Sequence, residues 1–108
     1  MEYRELGQTG MKLSRISFGA SSLGAVFHPM KEEEGILAVH TALEQGVNFI
    51  DVSPYYGHLK AENVLGKALR GVDRSRYYLS TKVGRYGSDG VNHWDYSATR
   101  AQESVYES

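Results

Sequence analysis

The sequence contains no cysteine and no long run of apolar residues. Without cysteine there can be no disulfide, no thiolate metal ligand and no cysteine nucleophile. The apolar runs are only a few residues long, too short to span a bilayer. No basic start leads into an apolar stretch, so we expect no secretory signal. These absences are compatible with a cytoplasmic location, which we take as the expectation.

The sequence also lacks a charge excess of either sign. Twelve Lys and Arg residues stand against 13 Asp and Glu residues, which gives a formal net charge of −1. Because phosphate binding normally needs a clustered cationic excess, nucleic acid is not an expected partner. Glycine is abundant, with 12 residues among 108, and predicts many turns. The length corresponds to about one small domain.

Strand-like and helix-like segments alternate along most of the chain. Residues 1–14 predict a β-hairpin, because Gly7 and Gly10 enclose a polar turn. Residues 15–108 predict three βα units, with strands over 15–18, 47–51 and 77–81, helices over 31–45 and 60–70, and a third helix capped by Ser97. Residues 84–92 are expected to be a glycine-rich loop. This alternation predicts an α/β fold with a parallel sheet.

Apolar residues at helical spacing predict which faces of the first two helices are buried. In the first helix they are Ile36, Val39 and Leu43, and Gly46 follows as the residue that ends the helix. In the second helix they are Val64, Leu65, Ala68 and Leu69. Both faces are expected to pack against the sheet.

Three polar residues lie where predicted strands end, which is where parallel α/β folds collect functional groups. Asp51 and Lys82 end two strands 31 residues apart, about one βαβ unit, and Tyr56 follows in the loop after Asp51. A phenol has a reference pKa of about 10, and a nearby ammonium favours its ionised form. Tyr56 would then serve as a general acid or base. A structural ion pair beside a tyrosine fits the same spacing.

Other candidates for chemistry are weaker. Trp94, next to His93, lies in the loop after the third strand and could border a substrate pocket or pack the loop onto the sheet. Tyr55 is expected to be structural, because only one of two adjacent tyrosines can easily point into a site. His28 and His58 have no carboxylate cluster at metal-ligand spacing, so no metal site is expected. Residues 19–24 contain neither of the common glycine-rich phosphate-binding motifs.

Four segments of the sequence resemble those of one known family. Residues 48–57 read NFIDVSPYYG, residues 62–69 read ENVLGKAL, residues 79–84 read LSTKVG, and residues 4–14 read RELGQTGMKLS. Together, and in this order, they closely resemble the aldo-keto reductase family. Residues 19–27 and 82–86 are most similar to its aldose dehydrogenase branch, whose members oxidise the anomeric carbon of a sugar to a lactone.

The resemblance implies a (β/α)8 TIM barrel, an NAD(P)(H) cofactor and a sugar or small carbonyl substrate. It assigns the acid-base role to Tyr56, with Lys82 tuning it and Asp51 anchoring Lys82. Residues near the nicotinamide ribose would be Gly19, Ala20, Ser21 and Asp51, and Tyr56 would also bind the substrate. Trp94 is a further substrate-binding candidate because of its loop position, independently of the resemblance. NAD or NADP, the exact substrate and the oligomeric state stay open.

The sequence departs from the family pattern in two respects. The histidine of the family's catalytic tetrad follows a fourth barrel strand, and His93 precedes the third helix. The main contacts to the cofactor phosphate and adenine come from the C-terminal third of the family's barrel. Since such a barrel needs about 250 residues, we expect residues 1–108 to be the N-terminal portion of one, with open sheet edges and an apolar inner face. The alternative is a chain without turnover, either truncated or a binding or regulatory subunit.

Overall fold

The computed structural model describes residues 1–88 and 91–108. The strands are β1 (Tyr3–Glu5), β2 (Lys12–Ser14), β3 (Phe18–Gly19), β4 (Phe49–Asp51), β5 (Tyr78–Ser80), β6 (Arg85–Ser88) and β7 (Val91–Trp94). The helices are α1 (Glu32–Glu44), α2 (Lys60–Leu69) and α3 (Ala98–Glu107), with short 3-10 turns at Ala20–Gly24 and Arg74–Arg76. In these ranges no helix has the length and apolar character needed to cross a membrane.

A three-stranded parallel sheet forms the centre of the molecule, in the order β3-β4-β5. Its register aligns Gly19 with Asp51 and Asp51 with Ser80, so these three residues form one row at the carboxyl ends of the strands. This confirms the predicted parallel sheet, and it places the end of each strand beside the end of its neighbour.

The hydrophobic core lies between one face of this sheet and helices α1 and α2. Ile50 of β4 is its central strand residue, and Leu23 enters from the 3-10 turn after β3. The predicted buried faces are confirmed: Val39, Leu43, Val64, Leu65 and Ala68 are buried, while Ile36 and Leu69 are partly buried against the core. The third helix begins as predicted, since the Ser97 hydroxyl accepts a hydrogen bond from the Arg100 amide at 3.2 Å.

The N-terminal hairpin of β1 and β2 is joined to the start of β4 by one side chain. The Asn48 carboxamide accepts a hydrogen bond from the Ser14 amide at 2.7 Å and donates one to the Lys12 carbonyl at 2.9 Å. In return, the Asn48 amide donates to the Ser14 hydroxyl at 3.0 Å. The hairpin is therefore tied to the amino end of the sheet, opposite the row that contains Asp51.

The structure corrects two features of the predicted organisation. The first strand of the sheet is Phe18–Gly19 rather than residues 15–18, and Gly19 belongs to it instead of ending it. The expected loop over residues 84–92 contains most of an antiparallel hairpin, β6 paired with β7. Two residues of that expected loop, 89 and 90, lie outside the described residues. The hairpin packs against the loop after β4, with His58 beside Gly87, a contact that local sequence does not reveal.

The outer strands of the parallel sheet, β3 and β5, are each paired on one side only within the described ranges. On the face opposite Ile50, the rings of Phe49 and Tyr78 are only half-buried. Open strand edges and a partly covered inner face are the features expected for one portion of a barrel.

Candidate functional site

Asp51 and Lys82 meet at the carboxyl ends of β4 and β5. The Lys82 ammonium donates to Asp51 Oδ1 at 2.9 Å, to Asp51 Oδ2 at 2.8 Å and to the Val52 carbonyl at 2.9 Å. The pair arises because the strands are neighbours and Lys82 follows β5 by two residues. Both side chains remain partly exposed, so the charges face solvent at the end of the sheet.

Tyr56 lies beside this ion pair. Its ring centroid is 5.2 Å from the Lys82 ammonium nitrogen, and its ring is half-buried against the core. The sequence-predicted residues Asp51, Tyr56 and Lys82 are therefore together in one place. An ammonium over an aromatic ring is attracted by the electrons of the ring face, which adds to the carboxylate in holding Lys82.

The loop that carries Tyr56 has an unusual backbone. Three consecutive residues after Tyr56 have positive φ: Gly57 at 65°, His58 at 51° and Leu59 at 74°. Two of them are not glycine, and a side chain in the left-handed region costs about 1–2 kcal/mol per residue. Local strain of this kind persists only where the surrounding structure holds it in place.

A contact between two glycines supplies part of that support. A Cβ atom on Gly24 would lie 2.5 Å from the Tyr56 carbonyl oxygen, and one on Gly57 would lie 2.2 Å from the Gly24 carbonyl oxygen. The turn after β3 and the Tyr56 loop thus pack backbone against backbone, at a distance that only glycine permits. The contact between Gly24 and Gly57 was not predicted from the sequence, although both glycines are present in it.

The residues expected near a nicotinamide ribose begin at the end of β3. Gly19 pairs with Asp51 and has open space where a Cβ would stand. Ser21 is partly exposed, whereas the Ala20 side chain is completely buried in the core. Gly19, Ser21 and Asp51 are accessible from the same end of the sheet, and Ala20 could reach a ligand only through its backbone.

The β6–β7 hairpin brings a further cation to this end of the sheet. The guanidinium carbon of Arg85 lies 4.2 Å from the Tyr55 ring centroid and 4.6 Å from the Trp94 ring centroid. We call these three residues the Arg85 clamp. Tyr55 therefore contributes its ring to the clamp, while its neighbour Tyr56 lies beside Lys82. Sequence reasoning missed Arg85, and its place three residues after Lys82 was the available signal.

The hairpin is fitted closely onto the Tyr56 loop. His58 fills the space beside Gly87 so tightly that a Cβ there would lie 1.8 Å from His58 Nδ1. Trp94 also borders a cavity of about 530 Å³, together with Tyr86, His93 and Arg100. Trp94 thus contacts the loop through Arg85 and faces a cavity, so both of its expected roles stay open.

One acidic group near the hairpin has a shifted pKa. The Ser97 amide donates to the Asp95 carboxylate at 2.9 Å, and this hydrogen bond, with a smaller effect from the Ser97 hydroxyl, lowers the pKa of Asp95 below its ordinary value. Asp95 lies two residues before Ser97, the N-cap residue of α3. Among the described side chains, no group of three or more His, Cys, Asp or Glu residues is arranged to hold a metal ion.

The parallel sheet with its covering helices, and the polar cluster of Asp51, Tyr56 and Lys82 at the strand ends, define a βα protein. Comparison with known proteins identifies the family. The model of the aldo/keto reductase family matches residues 15–108. L-galactose dehydrogenase from Arabidopsis thaliana is 46% identical to this chain. The alignment covers the whole chain and 33% of the length of that relative. The chain belongs to the aldo/keto reductase family.

Solved structures agree with this assignment. The structure of an aldo-keto reductase from Bacillus halodurans, in its holo form, aligns with a TM-score of 0.86 and 31% identity. The alignment covers 99% of this chain and 35% of that protein's chain. The structure of an aldo-keto reductase from Klebsiella pneumoniae in complex with NADPH aligns with a TM-score of 0.60 and 29% identity. The alignment covers 67% of this chain and 24% of that protein's chain. The fold is therefore that of part of an aldo-keto reductase TIM barrel. The chain spans between about a quarter and a third of the length of the curated relatives it matches.

Proposed function

We propose that the protein carrying this sequence is an NAD(P)(H)-dependent oxidoreductase of the aldo-keto reductase type. It would act on a sugar or a small aldehyde or ketone, with Tyr56 as the acid-base group. Residues 1–108 would form the N-terminal hairpin and first three βα units of the barrel. One observation carries the proposal: the Lys82 ammonium, held by both oxygens of Asp51, lies 5.2 Å from the centre of the Tyr56 ring.

The three side chains divide the work of moving one proton. In the reductive direction, the Tyr56 hydroxyl would donate its proton to the substrate oxygen as negative charge develops there. The fixed positive charge of Lys82 stabilises the phenolate that remains. Asp51 holds Lys82 in place and limits the positions that its flexible side chain can adopt. In the oxidative direction, the phenolate would accept the proton of the substrate hydroxyl.

The residues at the end of β3 leave room for a polar group such as the nicotinamide ribose. Gly19 leaves open space beside Asp51, so a ring system could approach the backbone closely. Ser21 and the Asp51 carboxylate would supply polar contacts to the ribose. When bound, the nicotinamide would supply or accept the hydride, while the protein fixes position and charge. The NADPH complex of the Klebsiella pneumoniae relative supports this choice of cofactor.

A sugar is the favoured substrate within this class. The support is the 46% identity to L-galactose dehydrogenase, which extends over the whole chain. Within the family's chemistry, this similarity favours oxidation of an aldose at its anomeric carbon over reduction of an unrelated ketone. The cofactor could be NAD or NADP, and both belong in the assay.

The test compares Tyr56→Phe with the parent in the complete protein that carries this sequence. Turnover is followed through NAD(P)H absorbance with an aldose and with an aldehyde panel. Removing the general acid should lower kcat by about 10²–10⁴-fold while KM changes only a few-fold. Tyr106→Phe is the matched control, because Tyr106 is 91% exposed on α3, and it should behave as the parent. Equal rates for Tyr56→Phe and the parent would remove Tyr56 from the proposed role.

A second measurement separates an enzyme from a chain that binds without turnover. NAD(P)H binding is measured by quenching of the nicotinamide fluorescence, both in the complete protein and in residues 1–108 alone. Turnover in the complete protein supports the proposal. Cofactor binding without turnover on any substrate would instead favour a binding or regulatory role.

A further inference from the structure

The Arg85 clamp lies outside the Asp51–Tyr56–Lys82 cluster and has no role in the proposed proton transfer. It joins two loops at the same end of the sheet: Tyr55 comes from the loop after β4, and Arg85 and Trp94 come from the hairpin after β5. Arg85 pairs directly with Trp94 across the hairpin. The position of the Arg85 guanidinium is therefore set by two separate elements and does not depend on one side chain alone.

The two aromatic rings hold the guanidinium by its face and leave its hydrogen-bond donors at the edge. A guanidinium carries five N–H donors and two of them point in parallel, a spacing that matches two adjacent oxygen atoms. Aromatic rings attract the charge but offer no oxygen acceptor. Among the side chains that the structure describes, Arg85 takes part in none of the ion pairs. Arg85 is also exposed, so its donors are available to a ligand.

The clamp is also close to the proposed reaction site. Tyr55 is adjacent to Tyr56 in the chain, and Arg85 follows Lys82 by three residues, at most about 11 Å of extended backbone. A substrate whose reacting carbon lies at Tyr56 would extend over this distance only if it carries several further atoms. Sugars reach further from the reacting carbon than small aldehydes do, and they carry adjacent oxygens at the remote end.

We infer that Arg85 is a substrate-binding residue that recognises a pair of adjacent oxygen atoms at the end of the substrate remote from the reacting carbon. This inference rests on the proposed function and adds a specificity determinant to it. The oxygen pair could come from two neighbouring hydroxyls of an aldose or from the carboxylate of a sugar acid. Tyr55 and Trp94 hold the guanidinium in place, so less side-chain freedom is lost when the substrate binds.

The kinetic test uses Arg85→Met in the complete protein with three substrates: galactose, galacturonic acid, and butanal, which has no second oxygen. KM should rise at least tenfold for galactose, for galacturonic acid or for both, with kcat within threefold of the parent. KM for butanal should stay within twofold. The substrate that loses affinity identifies the source of the oxygen pair. An equal rise in KM for all three substrates, or no rise for any, would overturn the inference.

Two further variants separate recognition from folding. Arg85→Lys keeps the charge and the contact with the rings but lacks the paired donors, so KM for the affected substrate should still rise about three- to tenfold. Arg74→Met is the matched control. Arg74 also contacts a tyrosine, with its guanidinium carbon 4.7 Å from the Tyr77 ring centroid, but it precedes β5 at the opposite end of the sheet. It should leave KM for every substrate unchanged.

A binding measurement makes the outcome independent of turnover. Trp94 is the single tryptophan of these 108 residues, so its fluorescence reports on the clamp, with Trp94→Phe providing the background. Galactose or galacturonic acid should change the fluorescence of the parent, and the effect should be lost in Arg85→Met. If the parent turns over no substrate, the proposed function fails while this titration still tests Arg85. No change in the parent with either sugar would overturn the inference.

Discussion

At the scale of single residues, two lysine–carboxylate pairs in this protein look alike but differ in surroundings. Lys82 lies 2.8 Å from Asp51, and Lys67 lies 2.7 Å from Glu32, in each case with both side chains partly exposed. Exposed pairs of this kind contribute about 0–1 kcal/mol to stability, so distance alone gives neither pair a special role. Only Lys82 also faces a tyrosine ring and a backbone carbonyl at the strand ends.

The first prediction follows from this contrast. Lys82→Met should lower kcat of the complete protein by about 10²-fold or more, because the phenolate of Tyr56 would lose its neighbouring positive charge. Lys67→Met removes an ion pair of the same length and should leave kcat unchanged, with stability reduced by at most about 1 kcal/mol. Steady-state rates and urea unfolding measure the two effects. Similar kcat values for the two variants would contradict the assignment.

A second prediction concerns Asp73, at the turn before β5. Hydrogen bonds from the Ser75 hydroxyl at 2.7 Å and the Ser75 amide at 2.9 Å lower the pKa of Asp73 below its ordinary value of 3.8. Since the folded-state pKa is the lower one, the resulting stabilisation is present above about pH 4 and is lost as pH falls through the folded value.

Ser75→Ala should therefore raise the pKa of Asp73 towards 3.8, though not completely, because the amide still donates. Carboxyl-carbon NMR titration measures the change. The pKa of Asp95, which is lowered by Ser97 instead, should not move and serves as the internal reference. An unchanged Asp73 titration in Ser75→Ala would show that the hydroxyl has no part in the shift.

At the scale of elements, the position of Tyr56 depends on how two loops meet. The 3-10 turn after β3 and the loop after β4 touch through Gly24 and Gly57, and three successive left-handed residues follow Tyr56. Backbone contact between these two loops thus helps to fix the position of Tyr56. A small displacement of either loop would move Tyr56 relative to Lys82.

The third prediction tests this contact. Gly24→Ala should reduce the free energy of unfolding by about 1–3 kcal/mol through overpacking, and Gly57→Ala should cost about 1–2 kcal/mol more because its φ is positive. Both should lower kcat. Gly66→Ala is the control: a Cβ there meets nothing within 4 Å, so alanine in α2 should stabilise by about 0.5–1 kcal/mol. If urea unfolding gave Gly24→Ala the same free energy of unfolding as Gly66→Ala, the proposed backbone contact would be contradicted.

The sequence predicts those elements that depend on local pattern. Helices α1 and α2 follow from apolar spacing and from glycines at their ends, and the meeting of Asp51 with Lys82 follows from parallel strands one βαβ unit apart. The β6–β7 hairpin was not predicted, because Arg85, Tyr86 and Gly87 show no clear alternation of apolar and polar residues. Its docking depends on distant partners, such as His58 beside Gly87.

At the scale of the whole molecule, the described fold is more open than a closed domain of its length. Its accessible surface is 7171 Å², whereas a compact protein of 12.0 kDa should expose about 6,000 Å². The radius of gyration is 14.4 Å, against about 13 Å for a compact chain of this length. The excess agrees with the unpaired edges of β3 and β5 in the described sheet, which can pair with another chain.

The fourth prediction follows from those edges. Residues 1–108 produced alone should self-associate at micromolar concentrations and bind a dye that reports exposed apolar surface. Sedimentation velocity over a concentration series and dye fluorescence measure the two effects. The complete protein is the reference, and it should bind much less dye. If residues 1–108 alone were a monodisperse monomer that binds no dye, their strand edges and apolar face would not need to be covered by further barrel elements.

The three hydrogen bonds of the Lys82 ammonium have a consequence for where protons can travel. A lysine ammonium has three N–H donors, and three acceptor atoms surround it: both Asp51 oxygens and the Val52 carbonyl. Because all three N–H groups already have acceptors, Lys82 has no N–H group left to donate to the Tyr56 hydroxyl. Lys82 would thus act as a stationary charge that stabilises the Tyr56 phenolate and not as a relay for its proton.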